Sequence, residues 1–230
     1  MTRFIDLVQP TARTALLSEW LTGTSERSRA AAAAVTEEWA AAETPPGRLA
    51  QHVFLSTDGT GLLFYAQWTS DEEHLAWARA HRADSVGRVD TLVPGIERPG
   101  LDRTRLHRSV VHDAVRPAGV FVVTTVAAVD AESVVGPAPG LLAAHVHLTS
   151  DGARAIVITE WSDAASHDVA GAGDAPFRRY TLHGPAKSAH DVSRPPGAHT
   201  YNGTTPRWCA GGGRSAMNRH EPGYPRVLRT

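Results

Sequence analysis

HVFLSTDGTGLLFYAQWTSDEEH, residues 52–74, occurs a second time in the chain as HVHLTSDGARAIVITEWSDAASH, residues 145–167. The two align without a gap at an offset of about 93 residues. Seven of 23 positions are identical: His52/His145, Val53/Val146, Leu55/Leu148, Asp58/Asp151, Gly59/Gly152, Trp68/Trp161 and His74/His167. Most other positions keep their apolar or polar character, which marks a duplicated unit. Each copy reads as a short strand, a tight turn at Asp-Gly where the glycine suits positive φ, and a longer β-rich run ending at tryptophan. A helix start follows, with Thr69-Ser70 offering an N-cap and Asp71, Glu72 and Glu73 complementing the helix dipole.

Working outward, residues 11–22 (TARTALLSEWLT) correspond to residues 118–129 (AGVFVVTTVAAV), whose β-branched side chains read as a strand. Thr24-Ser25-Glu26 caps an alanine-rich helix through Ala42, which Pro45-Pro46-Gly47 stops. Its counterpart after Asp130 is cut by Pro137 and Pro139, so that helix is short or broken. A second helix is expected over residues 72–89, a loop at Pro94-Gly95 and Pro99-Gly100, and a closing strand over residues 104–112. That strand is echoed where Arg105-Leu106-His107 resembles Thr181-Leu182-His183 at an offset of about 76. The second copy has therefore lost about 17 residues, and its second helix shrinks to residues 164–169.

Each half reads β-α-β-β-α-β, a ferredoxin-like unit whose open apolar sheet face needs a cover. Two copies supply it to each other. The expected fold is α+β: two tandem ferredoxin-like repeats (1–112 and a shortened 113–186) forming an intramolecular pseudo-dimeric α+β barrel. From 187 to 230 the pattern gives way to a Gly-, Pro- and Arg-rich basic tail, expected to be unstructured. Whether the barrel pairs further into a homodimer stays open. A net charge of −1 gives no global field to recruit nucleic acid or an anionic membrane, and the single Cys209 fits a reducing compartment. With no long apolar run and no leader pattern at Met1-Thr2-Arg3-Phe4, a soluble, cytoplasmic protein is expected.

Tyr65-Ala66-Gln67-Trp68, after Ser56-Thr57-Asp58-Gly59 on a hairpin in such a unit, resembles the antibiotic biosynthesis monooxygenase family. The resemblance implies a dimeric α+β barrel fold. It also implies a cofactor-independent monooxygenase-like activity that oxidises an aromatic polyketide or similar polycyclic phenol with O₂. It covers residues 12–112 well, residues 118–184 less well, and the tail not at all. In the quinone-forming members an asparagine lies four residues before the motif tryptophan. Here that position is Phe64, and Val157 in the second copy. A polyketide cyclase or other non-oxidative tailoring step, and a non-catalytic protein binding a small hydrophobic ligand, are therefore kept as alternatives.

The expected site lies in the first repeat, which alone has two long helices to roof it. Trp68 would orient a flat aromatic substrate, and His52 would accept its proton or polarise a carbonyl. Phe64, Tyr65, Trp77, Arg105 and His107 are the expected substrate contacts. Phe64, Ala66 and Trp68 share one strand face and Leu63, Tyr65 and Gln67 the other, and one set faces the helices. No cofactor is expected. His145-X-His147 lacks a third metal ligand, and His74 and His81 do not match the haem-ligand spacing of the haem-degrading branch.

Overall fold

A computed structural model describes residues 7–171 and 175–188, the last four by backbone alone. The first half runs β1 (Thr14–Leu21), α1 (Ser25–Ala41), β2 (Arg48–Ser56), β3 (Gly61–Trp68), α2 (Asp71–Leu92) and β4 (Glu97–Val111). The second runs β5 (Val120–Ala127), a 3₁₀ helix (Ala128–Val134), β6 (Leu141–Thr149), β7 (Arg154–Trp161), α3 (Ala164–Ala170) and β8 (Phe177–Ser188). All strand pairs are antiparallel, and the eight strands close into one barrel in the order β1-β3-β2-β8-β5-β7-β6-β4. Within each half the order is last, first, third, second. The halves are stitched together where β4 pairs β6 and β8 pairs β2.

The alternation of strand side chains sorts the core into a lumen and an outer layer. Leu17, Phe54, Leu63 and Tyr65 from the first half meet Phe121, Ile156, Ile158 and Tyr180 from the second inside the barrel. Each sheet thus covers the other within one chain. On the outside of the first half, Trp20, Val53 and Leu62 pack against Ala31, Ala32, Ala34 and Val35 of α1 and Val89 of α2. The outer layer of the second half is thinner, with Ala131 and Val135 over Ala144, Val146, Ala155 and Val157.

Local chemistry sets these elements. Thr24 caps α1 by accepting from the Arg27 N–H, and Ser70 caps α2 by accepting from the Glu73 N–H. At the first hairpin Gly59 has φ 76°, and a Cβ there would lie 1.9 Å from Ser25 Oγ at the start of α1. Its counterpart Gly152 has φ 69° with open space around it, because no long first helix sits over the second hairpin.

Three expectations are corrected. β4 begins at Glu97 rather than Thr104 and absorbs the expected loop at Pro99-Gly100. The β1–β4 register shifts between Glu19 and Leu21, and the irregularity opposite Pro99 spares the ladder the N–H that proline lacks. α2 continues past Val89 to Leu92. β8 extends through Lys187 and Ser188, and the rest of the expected tail lies outside the described residues. No helix among the described residues is long and apolar enough to cross a membrane.

Candidate active site

β3 presents Phe64, Ala66 and Trp68 to the helices, while Leu63 and Tyr65 join the lumen. α1 lies close on the sheet through its alanines. α2 stands off it, since over its 22 residues only His74 and Val89 are buried. The gap is a cavity of about 150 Å³. Its walls are aromatic: Trp20, Trp39, Phe64, Trp68 and Trp77, with Val35, Val86 and Val89. Phe64 lies 4.5 Å from Trp20 and 6.0 Å from Trp39 between ring centroids, and Trp68 lies 5.7 Å from Trp77. The polar lining consists of Ser18, Glu38, Gln51, His74, Arg82 and Ser85.

His74 is fixed from behind. Arg103 of β4 donates through one amino group to His74 Nδ1 at 3.0 Å and through the other to Asp71 Oδ1 at 2.7 Å, and Asp71 also accepts from Thr14 Oγ1. A guanidinium only donates, so Nδ1 is the bare nitrogen and Nε2 carries the proton. Burial pushes the His74 pKa down to about 4, with the Arg103 charge adding to the shift and Asp71 opposing it. At neutral pH His74 is therefore an uncharged N–H donor packed edge-on to Trp68, with ring centroids 5.2 Å apart. Such a group stabilises negative charge developing on a ligand oxygen; it is a poor proton acceptor.

The duplication supplies a comparison inside the molecule. Trp161 and His167 meet in the same way at 5.0 Å, and Arg179 of β8 donates to His167 Nδ1 at 2.8 Å, as Arg103 does to His74. The difference lies two residues before the tryptophan. In the second half Trp161 Nε1 donates to Thr159 Oγ1 at 2.8 Å. In the first half that position is Ala66, and Trp68 Nε1 is buried with no acceptor among the described residues. An unsatisfied buried N–H costs about 1–3 kcal/mol, and here it belongs to a residue in the cavity wall. Gln51 Oε1, in the same wall, is likewise buried without a donor.

Of the residues singled out from the sequence, the cavity unites Trp68, Phe64 and Trp77. It does not take the others. His52 and Tyr65 alternate onto the lumen face, where their rings stack at 6.2 Å and Tyr65 Oη lies 3.0 Å from His147 Nε2. His52 therefore cannot act on a ligand held beside Trp68. Arg105 and His107 line a separate depression with Asp71, Arg103 and the turn at Ser150, Asp151 and Gly152. His74, Arg103, Gln51 and Trp20 went unassigned. The signal for His74 was present, since it is one of the seven identities of the repeat. Gln51 and Trp20 carry no motif.

Among the described residues no three His, Cys, Asp or Glu side chains are grouped to hold a metal ion. No protein-family model matches the chain, and no curated protein matches it. Solved structures do. An anthrone oxidase-like protein is similar at 19% identity and a TM-score of 0.55, over 77% of this chain and 94% of that one. A candidate monooxygenase from Fusobacterium nucleatum is similar at 9% identity and a TM-score of 0.50, over 77% and 95%. The chain shares the fold of these structures, an antiparallel α+β barrel.

Proposed function

We propose that the roofed cavity of the first half is the active site of a cofactor-independent, monooxygenase-like enzyme that oxidises a phenolic aromatic of the polyketide type with O₂. The observation that carries this reading is the pair of donors in an aromatic wall: the unpartnered indole N–H of Trp68 and the neutral Nε2–H of His74. Both suit an oxygen that gains negative charge. A cavity of about 150 Å³ holds one benzene-sized ring. A polycyclic substrate would place its reacting ring inside and carry the others out between α1 and α2.

The chemistry asks little else of the protein. Loss of a proton from the substrate gives a phenolate or enolate, whose charge His74 and Trp68 hold. The ring carbon transfers electrons to O₂, a C–O bond forms, and the resulting hydroperoxide loses water to leave a carbonyl. His74 is not the base, because its Nδ1 is bound to Arg103 and its pKa is depressed. Glu38 is the carboxylate in the cavity wall, but its pairing with Arg88 at 2.5 Å holds its pKa below the usual carboxylate range, so we assign the proton to solvent.

A specific observation favours a second reading. Phe64 stands where the resemblance expects an amide, wedged between Trp20 and Trp39. A non-oxidative tailoring step, or plain binding of an apolar ligand, needs no amide there. Oxygen uptake by the purified protein with a model anthrone separates the readings. Stoichiometric uptake with formation of the quinone supports the oxygenase. Tight binding without uptake supports the second reading.

A further inference from the structure

On the lumen side of the second half, away from the roofed cavity, three polar side chains form a continuous hydrogen-bonded chain. Ser109 of β4 pairs with His145 of β6 in the ladder, and its Oγ lies 2.9 Å from His145 Nδ1. His145 Nε2 lies 3.0 Å from Glu160 Oε1 on β7. A carboxylate only accepts, so Nε2 carries the imidazole proton and Nδ1 accepts from the serine hydroxyl. Hydroxyl, base and orienting acid are thus within hydrogen-bond reach in the order that activates a nucleophile. His145 is 3% exposed, Ser109 is half-buried, and the Glu160 side chain is 15% exposed. The imidazole is shielded while both ends of the chain keep access to solvent.

The first half shows that the fold does not require this arrangement. His52 corresponds to His145, but Gln67 stands in the place of Glu160. Opposite His52, between the β8 partners of Val53 and Gln51, the sequence is Gly184-Pro185-Ala186, with no hydroxyl. The glutamate and the serine of the second half therefore have no counterpart at the matching sequence positions of the first. Burying polar groups is costly unless they are hydrogen-bonded to one another, so a hydroxyl and an acid gathered around the histidine of the second copy call for a use. The ladder also slips between Leu106 and Arg108, just before Ser109, and such a bulge re-aims the side chains beside it.

We propose that Ser109, His145 and Glu160 form a second reactive centre in which Ser109 is a nucleophile toward short acyl esters. Ser109 Oγ attacks the ester carbonyl as its proton passes to His145 Nδ1. The bond to the alkoxide breaks, and the imidazolium returns the proton to give the free alcohol. Water, deprotonated by the same nitrogen, then releases the acid and restores the serine. Glu160 is a positioning residue that holds the tautomer and stabilises the imidazolium. The acyl chain is short because His145, at 3% exposure, leaves little open space beside the hydroxyl.

The test is covalent labelling of the full-length protein with an alkyl fluorophosphonate, which forms a bond to an activated serine with loss of fluoride, followed by peptide mapping. Hydrolysis of p-nitrophenyl acetate is measured in parallel. One adduct on Ser109 is expected. His145→Gln should slow both labelling and hydrolysis by about 10²-fold or more. Glu160→Gln should slow them too, and Glu160→Asp should recover part of the rate, with melting curves confirming that each variant folds. A folded wild-type protein that carries no adduct on Ser109 overturns the proposal. So does a rate unchanged in folded His145→Gln. If that variant does not fold, the wild-type map still decides.

Discussion

Ala66→Thr converts the first half to the hydrogen bonding of the second, and so tests why Trp68 is left unsatisfied among the described residues while its counterpart Trp161 is not. Thr159 accepts from Trp161 Nε1 at 2.8 Å and donates to Val122 O at 3.4 Å, on the β5 residue paired with it. In the first half Ala66 pairs with Leu16 of β1 in the same way, so a threonine there has an acceptor in the Leu16 carbonyl and a donor in Trp68. Satisfying a buried N–H recovers about 1–2 kcal/mol, which is about 2–8 °C in Tm for a body of this size. The same two added atoms enter the wall of a cavity of about 150 Å³ and remove the free donor. Affinity for a model anthrone should fall about tenfold, or about 1.4 kcal/mol. Trp20, Trp39, Trp68 and Trp77 all line the cavity, so quenching of intrinsic fluorescence reads occupancy directly, beside a thermal melt. A variant that is no more stable and binds as well as the parent would show that the bare indole N–H has no part in the site.

Further outcomes follow from the two faces of the sheet. His52→Ala removes a lumen ring stacked on Tyr65 and should cost about 2–4 kcal/mol by urea denaturation, with turnover per folded molecule unchanged. Phe64→Asn should raise oxygen uptake by restoring an amide, while lowering stability by about 2–4 kcal/mol as Trp20 and Trp39 lose their partner. Acid should destabilise the protein through two buried imidazoles. Burial pushes His74 down to about 4 and His147 down to about 3, so the unfolded chain takes up protons first as pH falls below about 6.5. Their contribution is complete above that pH and shrinks toward pH 4, by on the order of 3 kcal/mol for each. Urea midpoints that stay level from pH 6.5 to pH 4 would contradict it.

The barrel was legible in the sequence because duplication constrains it twice. An apolar sheet face repeated at about 93 residues has to be covered, and its twin is the nearest cover. The broken helix after Asp130 was equally plain, since Pro137 and Pro139 exclude a long one. Pro99-Gly100 misled because a proline in a strand reads as a loop unless the bulge that tolerates it is known. For the site, the two-residue period placed Phe64 and Trp68 on one face and Tyr65 on the other, but not which face the helices cover. His52 was assigned by its nearness on the hairpin, yet its face depends on the ladder register with β3, which pairs it with Tyr65. His74 and Arg103 are 29 residues apart, and only closure of β4 against β1 brings them together.

The most direct test of the central claim, that the oxygenase site belongs to the first half and not to its repeat in the second, is oxygen uptake measured on matched substitutions. Trp68→Phe and Trp161→Phe remove equivalent indole N–H groups, one unpartnered and one bonded to Thr159. With a model anthrone, Trp68→Phe should lose most of the turnover while its melting temperature holds. Trp161→Phe should keep turnover and lose stability by about 1 kcal/mol. Equal loss of turnover from both, at unchanged stability, would contradict the placing of the oxygenase site in the first half alone.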